Sequence, residues 1–314
     1  MNNKLKKKQK LYPSLEQGQA DCFIADETAD YGTTTPFATY FQNQEPYVKL
    51  LKGDCIEILN KARENSVDMI FADPPYFLSN GGITCHAGKM VSVNKGKWDK
   101  SKGAVENHNF TLRWLAACQR ILKPNGTIWV SGTTHIIYSI GYAMQELGYK
   151  ILNDIIWHKR NPPPNLSCRY FTHSTEIVLW AAKNEKSRHY FNYDLMKSIN
   201  HGKQMKNVWE INAPRSDEKG FGKHPTQKPI ALLKRLLLAS TQESDLVIDP
   251  FSGSSTTGVA AVMLGRKFVG IDLEDEYLEL SKKRLTSAIS SCVSDLYHSN
   301  QLPTHRPLVA SGAE

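Results

Sequence analysis

The sequence predicts an α/β fold, a parallel sheet with helices on both faces, interrupted by an irregular basic insert. Three observations carry this. From Tyr47 onward, short apolar runs alternate with longer segments of helical period. One run, "DLVIDPF", leads straight into "SGSSTTGVAA", a glycine-bearing turn that opens a helix. Another, "VDMIFA", stops at "DPPY", residues 73–76.

In chain order, residues 1–46 are polar without sustained periodicity, and "KLKKKQK" is a solvated basic arm. "YVKLLKGD" is a strand, "CIEILNKARENS" a helix, and "VDMIFAD" a strand that proline terminates. Residues 77–105, rich in Gly, Ser, Asn and Lys, form a loop of a length that usually serves function. "HNFTLRWLAACQRIL" carries apolar residues at 110, 114, 115, 118, 121 and 122, one helix face. "KPNG" is a turn, "TIWVSG" a strand, and "IIYSIGYAMQELG" a helix closed by Gly148. "YKILNDIIWHK" and "STEIVLWAAK" are strands separated by the rigid "NPPPN". Residues 184–222 lose periodicity and gain Lys, Arg, His, Asn and Tyr. "PIALLKRLLLAST" is a helix with proline at its start, and "DLVIDPF" a strand. "GSSTTGVAAVMLG" is a helix, "KFVGIDL" a strand and "DEYLELSKKRLTSAI" the last helix, followed by a polar, frayed tail after 291.

The chain has 314 residues, enough for one large domain with a smaller insert. A net charge of +8 and a pI near 9.0 suit a polyanionic partner such as nucleic acid. The six cysteines are scattered without a Cys-x-x-Cys, so neither a zinc site nor a disulfide framework is signalled, and a reduced cytoplasm fits. No His/Asp/Glu cluster has metal spacing. No apolar run reaches the roughly 18 residues of a membrane span. The basic start lacks the apolar segment of a signal peptide.

The loop after "DLVID" excludes two phosphate-binding patterns. Val259 and Ala260 follow Gly258 where a P-loop needs Lys and Ser/Thr, and Ser255 spoils a G-x-G-x-x-G match. Asp272 ends the next strand at the distance where a carboxylate grips ribose hydroxyls. A nucleoside-containing cofactor without a pyrophosphate satisfies all of this, and S-adenosylmethionine is the obvious one. Its carboxylate suits the loop amides and the helix N-terminus.

A lone Asp at a strand end is more often a cap or an ion-pair member. "DPPY" is different. The two prolines fix φ and remove two N–H groups, leaving the Asp73 carboxylate and the Pro74 carbonyl as a rigid edge of acceptors. An exocyclic amine offers the matching donors, and Tyr76 offers a ring to stack on its base, the combination that flipped-base enzymes need. Phe77 is either a wall of that pocket or core.

These motifs resemble those of β-class amino-group DNA methyltransferases. "DPPY" precedes "DPFSGSS" in the chain, with "KHPTQKP" just before the second motif, and "LLKGDCIEIL", "ILKPNGTIWVSG" and "GIDLEDEYLELSKKRL" also match. "FADPPYFLSNGGIT" and "NLSCRYFTHSTE" are similar to the Dpn-type and Hind-type type II adenine enzymes. The resemblance implies a Rossmann-like S-adenosylmethionine-dependent methyltransferase sheet with an inserted target-recognition region. It divides the chain into a polar extension (1–46), a catalytic half (47–165), a target-recognition region (166–222), a cofactor half (223–290) and a polar tail (291–314). Because the motif begins with Asp rather than Ser, adenine N6 is the implied target. Serine at 255, where the family often has glycine, tightens the loop.

The resemblance implies Asp73, Pro74, Pro75 and Tyr76 as the catalytic edge. It assigns Asp54 to the cofactor adenine, with a helix cap as the rival role, Lys228 to the methionyl carboxylate, Asp272 to the ribose, and Asp249, Phe251, Gly253 and Ser254 to the loop. For DNA, the basic candidates are Lys89, Lys95, Arg188, Lys203, Lys206 and Arg215, with a solvated surface as the alternative. The implied partners are DNA and a cognate restriction endonuclease in the same system, with room for a homodimer. Rival readings are a cytosine-N4 enzyme, a methyltransferase acting on an RNA or protein amine, and a catalytically dead DNA-binding module.

Overall fold

The computed structural model describes residues 37–79, 83–86, 89–92, 99–222 and 224–299. Nine strands form one sheet in the order β1-β2-β11-β10-β3-β6-β8-β7-β9. In the chain these are β1 (Ala38–Asn43), β2 (Val48–Lys52), β3 (Val67–Ala72), β6 (Leu122–Gly132), β7 (Lys150–His158), β8 (Thr175–Ala182), β9 (Val208–Glu210), β10 (Leu246–Asp249) and β11 (Lys267–Asp272). A separate hairpin joins β4 (Ile83–His86) and β5 (Lys89–Ser92).

The pleat sends alternate side chains to two cores. Leu51, Ile70, Ile128, Val130 and Val269 face one layer of helices: α1 (Cys55–Lys61), α2 (Ala104–Ile121) and α3 (Ile137–Glu146). Their neighbours Leu50, Met69, Phe71, Trp129 and Phe268 face the other: α5 (Ile230–Ser240), α6 (Thr256–Met263) and α7 (Asp275–Ser299). Both faces of the central strands are therefore buried, which is why they read as continuous apolar runs.

The sheet departs from the expected all-parallel pattern at two strands. β1 pairs antiparallel with β2, and β8 runs antiparallel between β6 and β7. β1 also moves the start of the described structure ahead of Tyr47; it is an edge strand with no buried position, and only Tyr40 and Phe41 stand together as large apolar residues, so it shows no apolar run. "KPNG" is not a hairpin turn but a bulge inside β6. Val67 pairs with Leu122 and Met69 with Thr127, so Asp68 alone faces residues 123–126, and Lys123 Nζ meets its carboxylate at 2.7 Å.

The loop expected over 77–105 holds the β4–β5 hairpin and the first turn of α2. Residues 166–222 are not a body apart from the sheet. β8 lies inside it, α4 (Tyr193–Ile199) packs on α5, and β9 extends its edge parallel to β7. Three residues are too few to show a period, and β9 is held by Trp209, which packs against Trp129 under the Arg235 guanidinium. α1 ends at Lys61, short of the expected Ser66, and α7 continues past 291 to Ser299.

Candidate active site

Connections leaving β3 and β10 diverge to opposite sides of the sheet, towards β6 and β11. Ligands in open α/β sheets bind at such a divergence, beyond the carboxyl ends of the strands. A cavity of about 670 Å³ lies there, lined by Asp54, Asp73, Phe77, Lys228, Asp249, Phe251, Gly253 and Asp272 among others.

Asp73 follows the last residue of β3. Its Oδ1 accepts from the Tyr76 hydroxyl at 2.7 Å and its Oδ2 from Lys228 Nζ at 2.5 Å. Lys228 also donates to the Thr226 carbonyl at 3.3 Å, and Glu176 Oε2 lies 3.8 Å away. Glu176, the second residue of β8, is bonded in turn by Lys159. The result is a buried chain of alternating charge, Asp73–Lys228–Glu176–Lys159. Burial works against the charge on Lys228, but Asp73 and Glu176 outweigh it and hold the ammonium above its ordinary pKa. Tyr76 is pushed well above the usual phenol value by burial and by Asp73.

Lys228, assigned to the methionyl carboxylate, lines the cavity and gives one of its hydrogens to Asp73. Tyr76 is only 6% exposed and turns its hydroxyl to Asp73, so its ring is not an open stacking platform.

The turn after Tyr76 is pinned by Asp99. Its fully buried carboxylate accepts from Phe77 N at 2.7 Å, Leu78 N at 3.2 Å and Ser79 Oγ at 2.8 Å. Phe77 sits at φ 57°, an uncommon conformation for a bulky residue, and lines the cavity edge-on to Phe110. Sequence reasoning missed Asp99, Glu176 and Lys159. The one signal for Asp99 was an acid isolated among lysines in "KWDKSK".

On the other side of the cavity, Asp249 ends β10. Thr257 Oγ1 donates to it at 2.6 Å and Phe251 N at 3.1 Å. Burial raises its pKa to about 7; these two donors lower it, and Asp73 and Asp272 add to the rise. The loop then turns at Gly253 (φ 50°), where a Cβ would stand 2.9 Å from the His224 ring. Ser255 takes the same left-handed conformation (φ 50°) that glycine adopts freely, and its hydroxyl meets Ser252 Oγ at 2.6 Å. From beneath, Ser281 Oγ bonds the Gly253 carbonyl at 2.7 Å, and Arg284 bonds the buried Ser254 carbonyl. Asp272 accepts from Gly253 N at 2.8 Å and Glu274 N at 3.0 Å, and burial lifts its pKa to about 6. Asp54 caps α1 through Oδ1, which accepts from Ile56 N at 2.8 Å, and also lines the cavity. The cap and the wall are the same residue.

A cationic nucleoside fits these residues. Four carboxylates, Asp54, Asp73, Asp249 and Asp272, converge on the cavity, and burial together with its acidic neighbours pushes Asp249 up to about 7. Among the described residues no cluster of His, Cys, Asp or Glu could hold a metal, and no helix is long and apolar enough to cross a membrane.

The DNA candidates scatter. Arg215 is exposed beyond β9, beside Asp217. Lys203 and Lys206 are exposed ahead of β9. Lys89 lies in β5, and Lys95 falls outside the described residues. Arg188 lies apart from the others. Because β8 is reversed, residues after Ala182 emerge at the start of β6, where Arg188 N bonds Asn125. That is the end of the sheet opposite Asp73.

A family model described as DNA methylase matches residues 67–283, which hold both site motifs in this order. The chain belongs to the DNA methylase family. Related methylases include the type II methyltransferase M2.DpnII of Streptococcus pneumoniae, 58% identical over 75% of this chain and 88% of that protein. M2.LlaDCHI of Lactococcus lactis subsp. cremoris is 56% identical over 81% and 94%, and M2.MboI of Moraxella bovis 53% identical over 78% and 90%. Among solved structures, the M1.HpyAVI–SAM complex is 30% identical with a TM-score of 0.57, covering 76% of this methylase and 98% of that chain. The cytosine-N4-specific PvuII methyltransferase, 20% identical with a TM-score of 0.60 over 79% and 93%, shares the fold. The methylase is thus a DNA methyltransferase that uses S-adenosylmethionine.

Proposed function

We propose that this methylase is a site-specific adenine-N6 methyltransferase of a restriction–modification system, acting on DNA in the cytoplasm beside a cognate endonuclease. One observation carries the adenine assignment. The motif at the end of β3 begins with a carboxylate, and that carboxylate is fixed by Tyr76 and Lys228 at the wall of the cofactor cavity. The type II relatives named above support the restriction–modification setting.

Adenine N6 is a weak nucleophile because its lone pair is delocalised into the ring. Each Asp73 oxygen already accepts one bond and retains a lone pair for an N6 hydrogen. The Pro74 carbonyl is the second acceptor, held in place by the rigid Pro-Pro backbone. Drawing on both hydrogens favours a tetrahedral nitrogen and localises the lone pair on N6, free to attack the methyl carbon. The Asp73 charge stabilises the positive charge that develops on N6. S-adenosylmethionine supplies an electrophilic methyl group on a sulfonium. Asp272 and Asp54 would hold the nucleoside end, the 253–255 turn would take the carboxylate, and Asp249 would offset the positive charge. Lys228 sets the orientation of Asp73 rather than gripping cofactor.

The test is incubation with unmodified genomic DNA and labelled S-adenosylmethionine. Digestion to nucleosides identifies the product, and single-molecule sequencing maps it. N6-methyladenine at one short sequence is expected. N4-methylcytosine, or label only in RNA or protein, would overturn the assignment.

A further inference from the structure

β7 and β8 form a hairpin whose connecting loop leaves and re-enters the sheet through a closed neck. Lys159 N donates to the Ser174 carbonyl at 2.8 Å, and the Lys159 side chain bonds Glu176. The neck lies at the catalytic end of the sheet: Ala72 pairs with Val130, Val130 with Leu179, and Thr175 lies beyond Gly132. From Glu176 only Lys228 intervenes before Asp73.

The loop itself has shape. Asn165 Nδ2 donates to the Tyr170 carbonyl at 2.5 Å, its Oδ1 accepts from Ser167 N at 3.0 Å, and Cys168 takes a left-handed φ of 52°. This frame holds two rings outward: Tyr170 is 62% exposed and Phe171 is 96% exposed. An aromatic side chain that bare has no folding reason to be there. The loop is basic in sequence: between Lys159 and Ser174 it holds Arg160, Arg169 and His173 and no acidic residue. Arg160 is paired with Glu210, and the His173 ring lies 5.6 Å from that of Tyr170. Exposed rings and basic residues on one loop, whose neck lies at the catalytic end of the sheet, match the faces of nucleobases and their phosphates.

Resting on the adenine reading above, we propose that Phe171, backed by Tyr170, enters the DNA base stack and takes the place left by the adenine drawn towards Asp73. Removing a base from a duplex costs its stacking and pairing, and an inserted ring restores one stacked face.

The experiment compares wild-type enzyme, F171A and F171W on duplexes carrying the mapped site. In one duplex the target adenine is paired; in the other it is an unpaired bulge. F171A should lose roughly tenfold or more in kcat/KM on the paired adenine, the scale of one base–aromatic stack. It should stay within about threefold of wild type on the bulge, where little stacking has to be replaced. F171W should keep most of the activity on both, and cofactor affinity should be unchanged in all three. Equal loss on both duplexes, or no loss on either, overturns the proposal; so exposed a side chain leaves misfolding no part in the result. Wild-type enzyme that methylates neither duplex would instead overturn the adenine reading, and the proposal with it.

Discussion

Asp73 and Asp249 occupy the same position twice over. Each is an Asp followed by proline at the carboxyl end of a strand, and their strands, β3 and β10, are parallel neighbours. Their environments differ. Asp73 meets a buried ammonium at 2.5 Å and a phenol at 2.7 Å, and keeps some access to the cavity. Asp249 meets only a hydroxyl and a backbone amide, is 3% exposed, and titrates near 7. The dipeptide fixes where the carboxylate stands. Partners from elsewhere in the chain, Lys228 from "TQKP" and Thr257 from the first turn of α6, decide what it does. One carboxylate is held ready for a hydrogen-bond donor; the other is short of positive charge and suits a cationic ligand.

The largest effect should come from Asp73→Asn. The amide keeps the size of the side chain but loses its charge. Single-turnover methyl transfer at saturating DNA and cofactor should fall at least ~100-fold, the scale for one preorganised electrostatic partner. Affinity for S-adenosylmethionine should stay near wild type. A rate within a few-fold of wild type would make Asp73 a structural residue and erase its difference from Asp249.

Stability should separate the two sites next. Lys228→Met strips Asp73 of its cation, while Glu176 keeps Lys159; losing one partner of a largely buried pair costs at most about 3–5 kcal/mol. Thr257→Val removes one neutral donor from Asp249, at about 1–3 kcal/mol. Urea unfolding of both variants gives the order, and a smaller loss for Lys228→Met would show that the ion pair is not the stronger tie.

The smallest effect is a pH slope in cofactor binding. With Asp249 at about 7, the carboxyl is protonated below that pH and must release its proton to face a cation. Affinity should therefore rise with pH up to about 7, by at most ~10-fold per unit, and level off above. Asp272, at about 6, contributes only on the acid side of that range. Calorimetry between pH 6.5 and 8 should show the slope in wild type and lose it in Asp249→Asn. A flat wild-type profile would detach Asp249 from the cofactor's charge.

The fold class and both strand-end motifs were legible because they rest on local patterns: apolar runs of strand length and turns that need proline or glycine. Other features depend on which segments meet. Asp99 lies 22 positions from Phe77, whose amide it accepts, and Glu176 sits inside a run that reads as an ordinary strand. Lys228 was found by its motif, but nothing local shows that it also reaches Asp73. Arg188 was chosen for charge alone. Charge does not say which end of the sheet a loop leaves, and the reversal of β8 puts it at the far one. β1 and β9 are edge strands, one polar and one three residues long, below what periodicity can detect.

The closed neck of the β7–β8 loop has an evolutionary consequence. Its two ends are already joined by a backbone hydrogen bond and an ion pair, so the chain between them behaves as a cassette. Lengthening it adds only the slow logarithmic cost of a longer closed loop, roughly 0.6 kcal/mol per doubling. On the proposal that this loop meets DNA, its contact residues can be exchanged, inserted or lost without shifting a sheet strand or the catalytic carboxylate. A lineage of enzymes can change which sequence it marks while inheriting the chemistry intact.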